Sequence, residues 1–194
     1  DEAARVVDKI AGTNPDLIKL MITGGVMDAS AEGEPGVLRM KPEIINAACK
    51  RAHELGYPVA AHVESPDGVR EALKNGVDTI EHGARPDDEM IRLFREKNAA
   101  LICTLSPALP YAIFDLSVSH CGETGKKNGN IVFQGIIDCA RACLENHIPV
   151  GLGTDSGCPF ITHYDMWREL VYFTRYCKVS PDFAIYTATC KNAE

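Results

Sequence analysis

No apolar run in this chain approaches the roughly 20 residues that a membrane span needs, and the N-terminal segment carries no charged-then-apolar leader pattern. A surplus of basic residues is missing too. Against 27 Asp and Glu stand 20 Lys and Arg, a net charge of -7 with both signs interspersed, so no basic patch is set to follow a phosphate backbone. Nucleic acid and anionic membrane are therefore poor partners, and a cytoplasmic location is expected. The eight cysteines include no CxxC pair and most fall inside apolar patterns, which reads as buried thiols in a reducing compartment. Cys139 and Cys143 lie four apart on a predicted helix, but without a second pair they are read as core. Neither GxGxxG nor GxxxxGK[ST] occurs, which removes the phosphate-binding signature of a doubly wound nucleotide fold.

What is present is one domain's worth of core: 194 residues, 45% of them hydrophobic. A helical pattern over Asp1 to Ile10 is followed by a short apolar run, Leu17 to Ile22, that ends in Thr23-Gly24-Gly25 and reads as a buried strand entering a flexible loop. The unit then repeats. Helices are predicted over Pro42 to Leu55, Pro66 to Asn75 and Asp87 to Lys97, each leading to a strand: Pro58 to His62, Val77 to His82, Ala99 to Leu105. Ser106 to Asn130, rich in glycine and proline, reads as a long irregular connection with its most mobile tip at Gly122 to Gly129. A helix over Ile131 to Asn146, a strand over Pro149 to Gly153 and closing helices over Tyr164 to Tyr176 and Pro181 to Cys190 complete the chain. Five strands alternating with helices imply parallel βα units with right-handed crossovers, α/β in class.

Four of the five strands end in, or contain, a candidate metal ligand: Lys19 in the first, His62 closing the second, His82 closing the third and Asp155 just after the last. In a (β/α) barrel such positions converge on one mouth, offering the nitrogen and oxygen donors that zinc accepts. Each has an ordinary reading as well. A histidine at a strand end is commonly a hydrogen-bonded core or loop residue, and Asp155 in Gly-Thr-Asp-Ser-Gly would serve as a cap. Lys19 is hardest to treat that way, because an ammonium in an apolar strand is costly unless its charge is paired or removed.

The segments Asp16-Leu-Ile-Lys-Leu-Met-Ile-Thr-Gly-Gly25, Ala61-His-Val-Glu-Ser65, Gly76-Val-Asp-Thr-Ile-Glu-His-Gly83 and Gly151-Leu-Gly-Thr-Asp-Ser-Gly157 resemble, in order and spacing, the amidohydrolase superfamily, in particular its imidazolonepropionase-like and Xaa-Pro dipeptidase-like members. The resemblance implies a partial TIM-type (β/α)8 barrel holding the fourth to eighth strands, with 1-194 a single catalytic-domain fragment. It implies that Lys19 is carboxylated and bridges two zinc ions, that His62 and His82 ligate one of them, and that Asp155 ligates the other. It further implies hydrolysis of amide or peptide C–N bonds in a small-molecule or dipeptide substrate by a metal-activated hydroxide, Asp155 shuttling the proton. His163 falls at the mouth as a substrate contact, or else starts a helix.

The resemblance breaks at one point. The family's first barrel strand ends in His-x-His, and this sequence contains none. His53 and His147 fall on the wrong side of a barrel, and His120 lies in the long connection. The chain also opens without a helix cap and stops at Thr189-Cys-Lys-Asn-Ala-Glu194, which reads as truncation at both ends. The expectation is therefore a weak metal site and little hydrolysis in this chain alone. Self-association or missing polypeptide should cover the open edges beside the strands of Lys19 and Asp155. A metal-free binding protein, or a partial chain without a role of its own, remains the alternative.

Overall fold

A computed structural model of the protein describes residues 2–193; Asp1 and Glu194 lie outside the described residues. Five strands, β1 (Ile18–Met21), β2 (Val59–Val63), β3 (Thr79–His82), β4 (Ala100–Cys103) and β5 (Val150–Leu152), form one sheet in the order β1-β2-β3-β4-β5. Every neighbouring pair is parallel. The sheet is a partial barrel with β1 and β5 at its edges.

Helices α1 (Glu2–Ala11), α2 (Pro42–Glu54), α3 (Pro66–Lys74) and α4 (Asp88–Lys97) precede the first four strands. Their ends follow from local chemistry. Pro42 and Pro66 open α2 and α3 at positions where no amide is needed, and the side chains of Ser65 and Asp87 accept the amides of Gly68 and Met90. Along the strands the period-two alternation splits the sheet into two faces. Ile18, Leu20, Val59, Ala61, Val63, Ile80, Leu101, Cys103, Val150 and Leu152 are buried under the helix layer. The concave face carries Lys19, Met21, His62, Glu81 and Ile102, with Met21 paired to His62, His62 to Glu81, and Glu81 to Ile102.

The stretch predicted as an irregular connection is helical. It forms α5 (Leu105–Ile113), a short turn α6 (Leu116–Ser119) and α7 (Gly122–Glu145), which absorbs both the predicted mobile tip and the helix expected from Ile131. Glycine misleads here because it serves packing: a Cβ on Gly129 would sit 2.5 Å from the Tyr111 Cβ, so this glycine is what lets α7 lie against α5. Asn128 beside it is fully buried; its side chain accepts the Gly33 amide (2.9 Å) and donates to the Ala31 carbonyl (2.9 Å). The loop after β1, expected to be flexible, is thus pinned to α7, and Lys127 pairs with Glu32 at 2.7 Å beside it.

Two closing helices, α8 (Met166–Cys177) and α9 (Pro181–Thr189), and the short 3-10 turn Lys191–Ala193 after them bring long-range polar contacts. Asn192 accepts the Leu152 amide at 2.9 Å and donates to the Leu152 carbonyl at 2.7 Å, occupying one residue of the β5 edge. Glu169 of α8, fully buried, accepts the backbone amides of Leu105 (2.6 Å) and Ser106 (2.8 Å) and the Ser106 hydroxyl. The N-cap residue of α5, Thr104, makes no side-chain cap, so a carboxylate from another helix caps α5 instead. Five of the cysteines are buried and all eight are free thiols; Cys139 and Cys143 hydrogen-bond each other, and burial helps push the Cys143 thiol well up. No helix among the described residues is long and apolar enough to cross a membrane.

Removing the Glu169 carboxylate leaves buried donors unpaired, so Glu169→Ala is expected to lower the unfolding free energy by about 3 kcal/mol in urea denaturation. Burial pushes this carboxyl up to about 7, against the pull of its three hydrogen bonds. A folded-state value above the ordinary 4.5 means its contribution is complete below about pH 4.5 and is lost as pH rises through about 7. Relative to the wild type, Glu169→Gln should show a flatter fall in stability across that window.

Candidate metal centre

Because all five strands run the same way, the residues at their C-terminal ends share one rim. His62 is half-buried on the concave face of β2. Its ring is held by a hydrogen bond with the backbone of Gly24 in the loop after β1, while Nε2 is buried with no hydrogen-bond partner. Burial, opposed by that Gly24 contact and reinforced by the Lys19 charge, lowers its pKa.

His82 follows a less direct route to the same place. By alternation it belongs with Ile80 on the helix-facing side, but its backbone adopts φ +70 at the strand end, and this left-handed turn lets the ring swing toward the mouth. There it meets the His62 ring edge-on, with centroids 4.7 Å apart and planes at 71°. Its Nδ1 lies 2.5 Å from the Thr104 hydroxyl, which leaves Nε2 as the nitrogen available to a ligand. Burial, then the neighbouring His62 and Lys19, lower its pKa to about 3, so the imidazole is neutral at neutral pH.

Glu64, two residues beyond His62, completes the group. The donor atoms of His62, Glu64 and His82 all lie within 4.8 Å of one another. One Glu64 oxygen accepts the Val26 amide, while Oε2 is buried without a partner. Burial raises this carboxyl to about 7, with Asp155 and Asp28 adding to the shift. Its own amide donates to the Thr23 hydroxyl at 3.0 Å.

Lys19 is placed differently from the sequence expectation of a lysine sealed in an apolar strand. Its neighbours Ile18 and Leu20 are buried, but Lys19 faces the concave side, with 39% of its side chain exposed. The ammonium reaches across the small Ala60 of β2 to an ion pair with Glu81 on β3. Burial lowers its pKa and the charge of Asp155 opposes this. Asp155, exposed after β5 with φ +50, accepts the Cys158 thiol at 3.3 Å. His62, Glu64 and Asp155 line one cavity of about 180 Å³, together with Met27, Asp28 and Tyr111. His163 is exposed and not among the residues lining that cavity. A larger cavity of about 560 Å³ at the opposite, N-terminal end of the strands is lined by Thr79, Ile102, Pro149 and Asn192, and the convergent ionisable groups are not there.

Comparison with known proteins now decides the family. The sequence pattern of the Amidohydrolase family matches residues 4–194. The chain belongs to this family. Among solved structures, this amidohydrolase chain is similar to a Bifidobacterium longum protein assigned as a prolidase (TM-score 0.90, 38% identity, 99% of this chain and 47% of that one). It is also similar to a Xaa-Pro dipeptidase with methionine bound in its active site (TM-score 0.84, 28% identity, 99% and 46%). Aspergillus niger ochratoxinase is 26% identical over 160 residues, covering 80% of this chain and 32% of that protein. The amidohydrolase chain therefore spans about a third of that curated relative and under half of each of these two solved structures.

Sequence reasoning did not single out Glu64, Glu81 or Thr104. The first two were readable in principle: Glu64 stands at i+2 from His62, the same face of an extended strand, and Glu81 pairs in register with His62. Thr104 supplies from β4 the strand-end polar group that the other four strands had already shown.

The loop over this centre rests on Gly36, whose φ is +77 and where an added Cβ would sit 2.5 Å from the Glu64 carbonyl carbon and oxygen. Gly33 has a similar φ of +83 with open space around it. Gly36→Ala is expected to lose about 2 kcal/mol or more in urea denaturation, and Gly33→Ala only the smaller backbone strain. Equal losses would place the cost in the backbone angle alone.

Proposed function

We propose that this chain supplies the Lys19, His62, His82 and Asp155 side of a metal-dependent hydrolase that cleaves amide-type C–N bonds in dipeptides or comparable small molecules. The observation that carries the reading is the buried, unpartnered Nε2 of His62 beside a second neutral imidazole. A buried ring nitrogen without a partner is costly in a dry site and satisfied by a cation. Family membership and the prolidase and dipeptidase relatives support the reaction class.

Two imidazoles with carboxylate oxygens nearby suit zinc, and its chemistry when bound is to polarise the scissile carbonyl and acidify a water. Asp155, exposed at the rim, takes the proton and delivers it to the departing amine. In the complete enzyme Lys19 would be carboxylated by carbon dioxide, with loss of ammonium protons to solvent, and would then offer carbamate oxygens as further metal ligands. That conversion removes the ammonium now paired with Glu81 and sets a new anion beside Glu81 and Asp155. It is favourable only with cations present. The strand edges at β1 and β5 are covered by further polypeptide, in line with the chain spanning under half of the solved relatives.

The test places an upstream half-barrel bearing His-x-His before this chain and measures hydrolysis of a dipeptide panel, Xaa-Pro included, with and without zinc. Zinc-dependent turnover is expected, with Asp155→Asn slowed about a hundredfold or more. Thr104→Val, which releases the His82 ring, should weaken zinc about tenfold to a hundredfold in chelator competition. Turnover that survives Asp155→Asn, or no turnover with zinc loaded, would count against this assignment.

A further inference from the structure

Glu64 is the one member of the centre that the proposed reaction leaves unused, and its surroundings are hard to explain without a positive charge. Its Oε2 is buried and unpartnered while the other oxygen has only the Val26 amide. The nearby charges are mostly of its own sign, Asp28 and Asp155. Lys19, a cation on the concave face, is already paired with Glu81. A buried carboxylate oxygen with neither a hydrogen bond nor a counter-ion costs several kcal/mol by ordinary desolvation. His62 Nε2 is likewise buried without a partner, and the donor atoms of the two residues lie within 4.8 Å of each other. With the carboxyl ionised both atoms are acceptors and cannot satisfy one another, whereas a single cation satisfies both.

From this geometry we propose that Glu64 is a protein ligand to a divalent cation of the zinc type, closing a His62/Glu64/His82 donor set that holds one ion without help from Lys19. The inference rests on the reading that His62 and His82 bind metal, and departs from it in making Lys19 dispensable for the first ion. Donor geometry permits it. Metal–donor bonds of about 2.0 Å in a tetrahedral site bring ligand atoms to roughly 3.3 Å apart. Starting within 4.8 Å, the three side chains need only small rotations. Three protein donors with an open fourth position is also the arrangement that catalytic zinc sites use. The expectation from sequence, a weak metal site, omitted this carboxylate.

The experiment is a titration of the full 194-residue chain with Co(II), followed by its visible d–d bands, and with Zn(II) by chelator competition. Circular dichroism on each variant reports its folding. One equivalent is expected to saturate the wild type, with Lys19→Ala unchanged and Glu64→Gln weakened at least about tenfold, more than an outer-shell partner's minimum effect. Glu64→Asp should fall between Gln and wild type. Undiminished binding in Glu64→Gln while His62→Ala binds nothing would overturn the role of Glu64 alone. Undiminished binding in both His62→Ala and His82→Ala, or no binding by the wild type, would overturn the metal reading with it. Should Glu64→Gln fail to fold, Glu64→Asp decides: weakened binding there supports the proposal, and undiminished binding overturns it.

Discussion

Parallel strand pairing is the constraint on which everything else here depends. Parallel neighbours require each connection to climb back along the sheet, which puts a helix between successive strands and all strand C-termini on one rim. Lys19, His62, His82, Thr104 and Asp155 come from five separate βα units, yet they face one another because no strand runs backwards. The same rule explains the two faces. The helix side is a continuous apolar layer, whereas the concave side holds small, polar or ionisable residues wherever a neighbour must reach over a strand, as Lys19 does above Ala60.

Within that rim, burial and charge oppose each other in a graded way. The deeper His82 loses its ability to take a proton more completely than the half-buried His62, and Glu64 holds its proton more tightly than an exposed carboxyl. Burial is the largest cause of the shift at each of the three. The two imidazoles are poised to accept a positive charge because they are already neutral, whereas a protonated Glu64 must release its proton to do so. The fixed pieces lie one layer out: Gly24 sets the ring of His62, Thr104 that of His82, and Glu169 fixes the start of the helix on which Thr104 sits.

Strand order, fold class and the rim residues were legible because they rest on local periodicity and on proline, serine and aspartate at helix starts. Helix boundaries fell within two or so residues of the expectation for α2 and α3. The stretch from Ser106 to Asn130 was not legible. Its glycines and prolines carry turn propensity, but packing overrides it: Gly129 is selected by the Tyr111 side chain it touches and Asn128 by a loop 95 residues away. Long-range reasons of this kind leave no local trace. Lys19 was misjudged for a related cause, since sequence shows the apolar neighbours of a residue but not which face of the sheet each one takes. The ring of His82 reaches the mouth against the alternation of its strand, through a strand-end φ that is invisible in the sequence.

The two hydrogen bonds from Asn192 to Leu152 have a kinetic meaning. A primary amide presents one donor and one acceptor at the spacing of a peptide unit, so at this residue β5 already has a substitute neighbour one side chain wide. Any strand arriving at that edge meets a competitive exchange, in which the amide must leave before the ladder can extend. Docking there begins with a toll on the incoming segment that a bare edge would not levy. This favours segments held nearby by a covalent or large interface over strands met in free collision.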